Sequence, residues 1–136
     1  MSVKTRALIQ KFIDHVTAFE FVEAFSLLNK DCRYIIIGKT PLSGVYIGPE
    51  EVFAKLLPVL GGFPTPPTLT FGDVIVDGDK GMIRASGKGV GPTGTYDQPY
   101  YAWYVRVEGD GFAEMIEFLD TAELMSAAYG KTALPA

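Results

Sequence analysis

Between Leu69 and Leu119 the chain is four β-rich runs separated by short turns, and this block limits what the remainder can build. The runs are Leu69–Val76, Gly81–Val90, Tyr96–Val107 and Phe112–Leu119. Each is rich in aromatic and β-branched residues, and Asp77-Gly78-Asp79 and Gly91–Gly94 mark turns between them. Consecutive strands with connections this short pair antiparallel, as a meander. Gly81, Gly87 and Gly89 fall within one strand, a composition suited to sharp sheet curvature. A curved sheet needs something laid on its concave side.

The first half of the chain supplies helices for that purpose. Residues 5–16 place Leu8, Ile9, Phe12, Ile13 and Val16 at helical spacing. Thr17-x-x-Glu20 reads as a capping box that opens a second helix burying Phe21, Val22, Phe25 and Leu28. Cys32–Ile37 (CRYIII) reads as a strand, and Gly38–Gly48 as a loop. Pro49 at the first helical position, with Glu50 and Glu51 after it, starts a third helix with Val52, Phe53, Leu56 and Leu57 on its apolar side. Pro58 predicts a kink or an end there, and Gly61–Pro67 a linker. Thr121–Tyr129 reads as a last helix stopped by Gly130. The order is two helices, strand, helix and four strands in one domain over residues 1–136. That is α+β: a cone-shaped, mostly antiparallel sheet wrapped around N-terminal helices, with a hollow at its open end.

Composition excludes several roles. The chain carries 12 Lys and Arg against 16 Asp and Glu, a net charge of −4. That gives no basic surface for nucleic acid and no attraction to an anionic membrane. Cys32 is the only cysteine and His15 the only histidine, so no disulfide within the chain and no zinc-ligand set is expected. Lys4, Arg6, Lys11, Asp14 and Glu20 interrupt the first twenty residues, and no apolar run is long enough to span a bilayer. The default location is the cytoplasm. Gly89-Val90-Gly91-Pro92-Thr93-Gly94 fits a dinucleotide-binding spacing, but a strand rather than a helix follows it, so no helix N-terminus awaits a phosphate.

Three short stretches carry a family resemblance. They are Pro41–Glu50 (PLSGVYIGPE), Gly94–Tyr100 (GTYDQPY) and Glu117–Thr121 (EFLDT). In this order they resemble the SnoaL-like branch of the superfamily of ketosteroid isomerase and nuclear transport factor 2. The resemblance runs from the first helix to Gly130 and implies the cystatin-like α+β barrel, a small hydrophobic ligand, no cofactor and a homodimer. The oxyanion-holding tyrosine of the isomerases falls on Phe12, and their general base on Ile35 or Ile36. Neither type can do that chemistry. The Arg-x-Asp motif of limonene epoxide hydrolases looks like Arg84-Ala85-Ser86, with Tyr34 at a water-holding position and Asp120 as the later acid. The acid/base aspartate of SnoaL-type polyketide cyclases resembles Asp120.

Asp120 is therefore the candidate catalytic residue, acting on a carbonyl-bearing, polyketide-, steroid- or terpenoid-like molecule as a cyclase or isomerase would. The alternatives are a non-catalytic small-ligand-binding module and an epoxide-hydrolase-like enzyme. Alternation puts Ile116, Phe118 and Asp120 on one side of the last strand, and the resemblance places that side inward. Asp120-Thr-Ala-Glu123 equally reads as a capping box for the final helix. Tyr34, Tyr100, Trp103, Tyr104, Phe12, His15 and Arg84 complete the candidate ligand contacts. Alternation alone leaves open which face of Tyr96–Val107 is lined by the ligand.

Overall fold

The computed structural model describes residues 2–131. Its elements are α1 (Ser2–Thr17), α2 (Phe21–Phe25), β1 (Leu28–Ile36), β2 (Gly44–Ile47), α3 (Gly48–Gly61), β3 (Thr65–Asp77), β4 (Lys80–Gly91), β5 (Gly94–Glu108), β6 (Gly111–Phe118) and α4 (Thr121–Tyr129). The strands form one six-stranded sheet in the order β2-β1-β6-β5-β4-β3. All neighbours are antiparallel except β1 and β6, which run parallel. The expected α+β architecture is the one found: β3 to β6 are the meander, and the helices cover the concave side of the curved sheet.

α1 buries Leu8, Ile9, Phe12 and Val16, the stripe read from the sequence. Its N-terminus is tied to the β3–β4 turn, where Thr5 Oγ1 donates to the Gly78 carbonyl at 2.7 Å and the Gly78 N–H donates to Ser2 Oγ at 3.0 Å. Ile9 packs directly over Gly81, where a Cβ would stand 2.8 Å from Ile9 Cδ1. Phe12 sits at the centre, edge-on to Phe25, Trp103 and Phe112 at centroid distances of 6.0, 5.7 and 6.0 Å.

Several local expectations fail, each for a tertiary reason. Thr17 ends α1 instead of capping α2, and Glu20 makes no side-chain cap bond. Its carboxylate pairs with His15 Nδ1 at 2.9 Å across the joint. α2 stops at Phe25 because Leu28 is taken into β1 beside β6, and Val22 is half exposed instead of buried. The segment read as the loop Gly38–Gly48 contains β2, an edge strand that pairs with Arg33–Ile36. α3 runs through Pro58 for another turn to Gly61. β3 starts at Thr65, inside the expected linker; Pro66 and Pro67 are tolerated there because β3 is the other edge of the sheet. Among the described residues no helix is long and apolar enough to cross a membrane.

Candidate functional site

β5 sets the faces of the site. Tyr96 and Gln98 point inward, and then Tyr101, Trp103, Val105 and Val107 do. Even numbers give way to odd because Pro99 and Tyr100 together oppose the single Ser86: Gly87 pairs with Gln98, but Ala85 pairs with Tyr101. This is a β-bulge, which spends an extra residue and reverses the alternation. Beyond it, Trp103 stands opposite Glu117 and Val105 opposite Met115. Residues directly opposed in a ladder share a face, so β6 turns Met115 and Glu117 inward and Ile116 and Phe118 outward.

The expected orientation of the last strand is therefore reversed. Glu117 is 4% exposed and Phe118 38%. Asp120 lies past the strand end, on the exposed side of the turn into α4. Its Oδ1 accepts the N–H groups of Ala122 at 2.9 Å and Glu123 at 3.2 Å, which is the capping arrangement. The main chain of Asp120 is clamped as well. Gln98 Oε1 accepts its N–H and Gln98 Nε2 donates to its carbonyl, both at 2.8 Å. Gln98 is fully buried, so one amide side chain stands in for a strand partner at this corner.

Inside the sheet, a hollow of about 660 Å³, its open mouth included, lies between α1, α2, α3 and the concave faces of β3, β5 and β6. Phe12, Phe25, Phe63, Tyr96, Tyr101 and Trp103 supply aromatic walls. Trp103 is 4.6 Å from Tyr101 and Phe63 is 5.5 Å from Tyr96, centroid to centroid. Glu117 is the one carboxylic acid among the described residues lining it. The Tyr34 hydroxyl donates to Glu117 Oε1, and the Tyr101 hydroxyl to Oε2. Trp103 Nε1–H donates to the Tyr34 oxygen at 3.2 Å. The three elements β1, β5 and β6 thus converge on a single carboxyl group.

Burial pushes the Glu117 carboxyl above its ordinary range, although the hydrogen bonds from Tyr101 and Tyr34, and the nearby indole N–H of Trp103, pull the other way. Burial and then the nearby Glu117 charge raise Tyr34 and Tyr101 well above a free phenol, so both are hydrogen-bond donors at neutral pH. Cys32, buried and beside Asp31 and Glu114, is pushed up to about 12 and stays a thiol. The cluster can present to a ligand a carboxyl whose protonation state is adjustable, in a largely desolvated setting.

Of the residues singled out from the sequence, Phe12, Tyr34 and Trp103 meet at this site. The others do not. Tyr100, Arg84 and Phe118 are exposed on the outer face, where they line a shallow groove with Met82 and Asp120. Tyr104 and Ile116 are half-buried on that same face, opposite each other. His15 closes the end of α1 and pairs with Glu20. Sequence reasoning missed Glu117. Between Ile116 and Phe118 an acid looks like the polar side of an amphipathic strand, and only pairing with Trp103 reveals otherwise. The nearest signal is Tyr101, which two-residue alternation puts on the face of Trp103.

No family model matches the chain, and neither does any curated protein. Solved structures do. An NTF2-like protein of unknown function from Burkholderia pseudomallei superposes with a TM-score of 0.81 at 15% identity, over 93% of this chain and 98% of that one. A candidate SnoaL-like polyketide cyclase from Jannaschia sp. gives 0.76 at 19% identity, over 98% and 95%. A protein with a ketosteroid isomerase-like fold from Catenulispora acidiphila, in complex with trimethylamine, gives 0.71 at 14% identity, over 89% and 91%. The fold is the NTF2-like, SnoaL-like and ketosteroid isomerase-like fold expected from the three motifs.

Proposed function

We propose that the protein binds a small, largely apolar molecule in the hollow, and that Glu117 rather than Asp120 is the group that exchanges a proton with it. The single observation behind this reading is the carboxyl of Glu117, 4% exposed, held by two tyrosine hydroxyls and lining an aromatic cavity. A carboxyl raised by burial is suited to giving and taking a proton near neutral pH. With one such group in an apolar hollow, the chemistry that suits it is a cyclisation or isomerisation of a polyketide-, steroid- or terpenoid-like ligand. Asp120 keeps the structural task of starting α4.

A non-catalytic ligand-binding module is the second reading. It is favoured by one feature: no second carboxyl or imidazole lines the hollow among the described residues. An epoxide-hydrolase-like role has less to draw on, because Arg84 is exposed on the outer face, away from Glu117. We also assign the chain to one cytoplasmic domain that pairs with a second copy through the outer face, where Met82, Tyr100 and Phe118 are exposed. Phe118→Glu is expected to convert such a dimer to monomer in sedimentation.

The site itself is tested by filling it. Leu60, in the last turn of α3, lines the hollow. Leu60→Trp is expected to weaken binding of small aromatic probes at least about tenfold, in NMR titrations of the folded protein. Unchanged binding would remove the hollow as the ligand site. With a substrate in hand, Glu117→Gln is expected to abolish turnover if the protein is an enzyme, and Asp120→Asn to leave it near wild type.

A further inference from the structure

The hydrogen bonds around Glu117 describe more than a buried acid. Tyr34 and Tyr101 each have a single O–H, and each spends it on a different oxygen of the same carboxyl. The indole N–H of Trp103 is spent on Tyr34. Both hydroxyls point at Glu117 and the indole N–H backs one of them, which is an arrangement that suits a carboxylate ion. An ion accepts at about four lone-pair positions, so two are left over. What the cluster has to offer a ligand is therefore acceptor capacity and negative charge.

A buried carboxylate calls for a counter-charge, and the described residues around the hollow supply none. No lysine, arginine or histidine is among the described residues that line the hollow. The ion pairs Lys4–Asp110, His15–Glu20 and Arg106–Glu108 all lie elsewhere and are at least partly exposed. The titratable groups that feel Glu117 are tyrosines: Tyr34 from β1, Tyr46 from β2, and Tyr101 and Tyr96 from β5. Rings of Phe12, Phe25, Tyr101 and Trp103 stand around the same space. Aromatic rings beside an unpaired anion are the surroundings in which an ammonium group is held, by charge and by cation–π attraction together.

We propose that the natural ligand carries a positively charged nitrogen on a small apolar body, with the nitrogen meeting Glu117 and the apolar body lying among the rings. This rests on the reading of the hollow as the ligand site and names the class of ligand it takes. The protein supplies the anion and the rings; the ligand supplies the missing cation. While the hollow is empty, burial favours a proton on Glu117, and an arriving ammonium competes with that proton. Affinity for a cation then rises with pH through the titration of Glu117. Affinity for a ligand that needs the neutral acid as donor falls over the same range.

Calorimetric titration of the folded protein with benzylamine, benzyl alcohol and acetophenone tests this, since the three share a ring and differ in the polar group. Benzylamine is expected to bind at least about tenfold tighter than the other two near pH 8, with a smaller advantage near pH 5. Glu117→Gln is expected to bring the three within about threefold of one another while the alcohol still binds. If the alcohol or the ketone binds wild type as tightly as the amine, or gains affinity with pH as the amine does, the ammonium proposal is overturned and the hollow remains a ligand site. An amine advantage that survives Glu117→Gln overturns it too. If none of the three binds folded protein, the hollow reading falls with it. Should Glu117→Gln fail to fold, the wild-type comparison and its pH dependence decide alone.

Discussion

Glu117 and Asp120 stand at the two ends of a four-residue stretch, EFLD, and live in different media. Glu117 faces the concave side, is 4% exposed and receives two phenolic hydrogen bonds. Asp120 faces solvent and receives two backbone N–H groups at the start of α4. The same division runs along β5. Trp103 is 3% exposed, whereas Tyr100, on the other face, is 77% exposed. Both sides carry acids and aromatics, so residue type does not distinguish them. What distinguishes them is whether the partners are side chains converging in a dry interior or main-chain groups beside water. In the first setting a carboxyl is an adjustable chemical group, and in the second it is a fastener.

The contrast can be broken at four places. Phe12→Ala removes the ring at the centre of the concave side and should cost about 3–5 kcal/mol in chemical denaturation, while Tyr100→Ala on the outer side should stay within about 0.5 kcal/mol. Comparable losses from the two would mean that the faces are not packed as described. Tyr34→Phe leaves Glu117 Oε1 and Trp103 Nε1 without their shared partner, and about 1–3 kcal/mol of stability should go with it. Asp120→Ala removes only a cap, for about 1 kcal/mol by the same measurement, with the near-ultraviolet signal of Trp103 unchanged. A larger loss, or a disturbed Trp103, would move Asp120 closer to the site.

The finest comparison is in pH. Burial raises the folded-state pKa of Glu117 above its unfolded value. Between the two values the folded state holds more protons than the unfolded one, so its stability falls as pH rises through that window. The contribution is complete below the ordinary carboxylate pKa and is lost by the time pH passes the raised one. Glu117→Gln cannot titrate. Denaturation midpoints from acid to neutral pH should therefore improve for Glu117→Gln relative to wild type as pH rises. A constant difference between the two would mean that Glu117 is not desolvated.

Much of the fold could be read from the sequence because local signals agreed with the tertiary outcome. Asp77-Gly78-Asp79 and Gly91–Gly94 are turns, the stripe from Leu8 to Val16 is buried, and Gly130 ends α4 in the left-handed conformation at φ 68°. The failures share a cause. Leu28 and the Val45–Ile47 run become strand through partners distant in sequence, β6 for the first and β1 for the second. The expected facing of the last strand failed in the same way. Alternation fixes that Glu117 and Asp120 lie on opposite sides, but the side facing the helices depends on the register between β6 and β5. That register puts Glu117 opposite Trp103, and no residue near Glu117 in the chain announces it.

The bulge at Pro99–Tyr100 bears on how such a site can change over time. Point substitutions alter one lining residue each and leave the two faces of β5 where they are. A deletion of one residue at the bulge would restore plain alternation through Gln98 and send either Trp103 and Tyr101 or Tyr96 and Gln98 to the solvent side, depending on which half of the strand held its register. One choice would dismantle the donor set of Glu117, and the other would free the α4 corner. Gain or loss of a single codon at this point is therefore a route to a differently lined hollow on the same scaffold, reached in one step that no series of conservative substitutions would approximate.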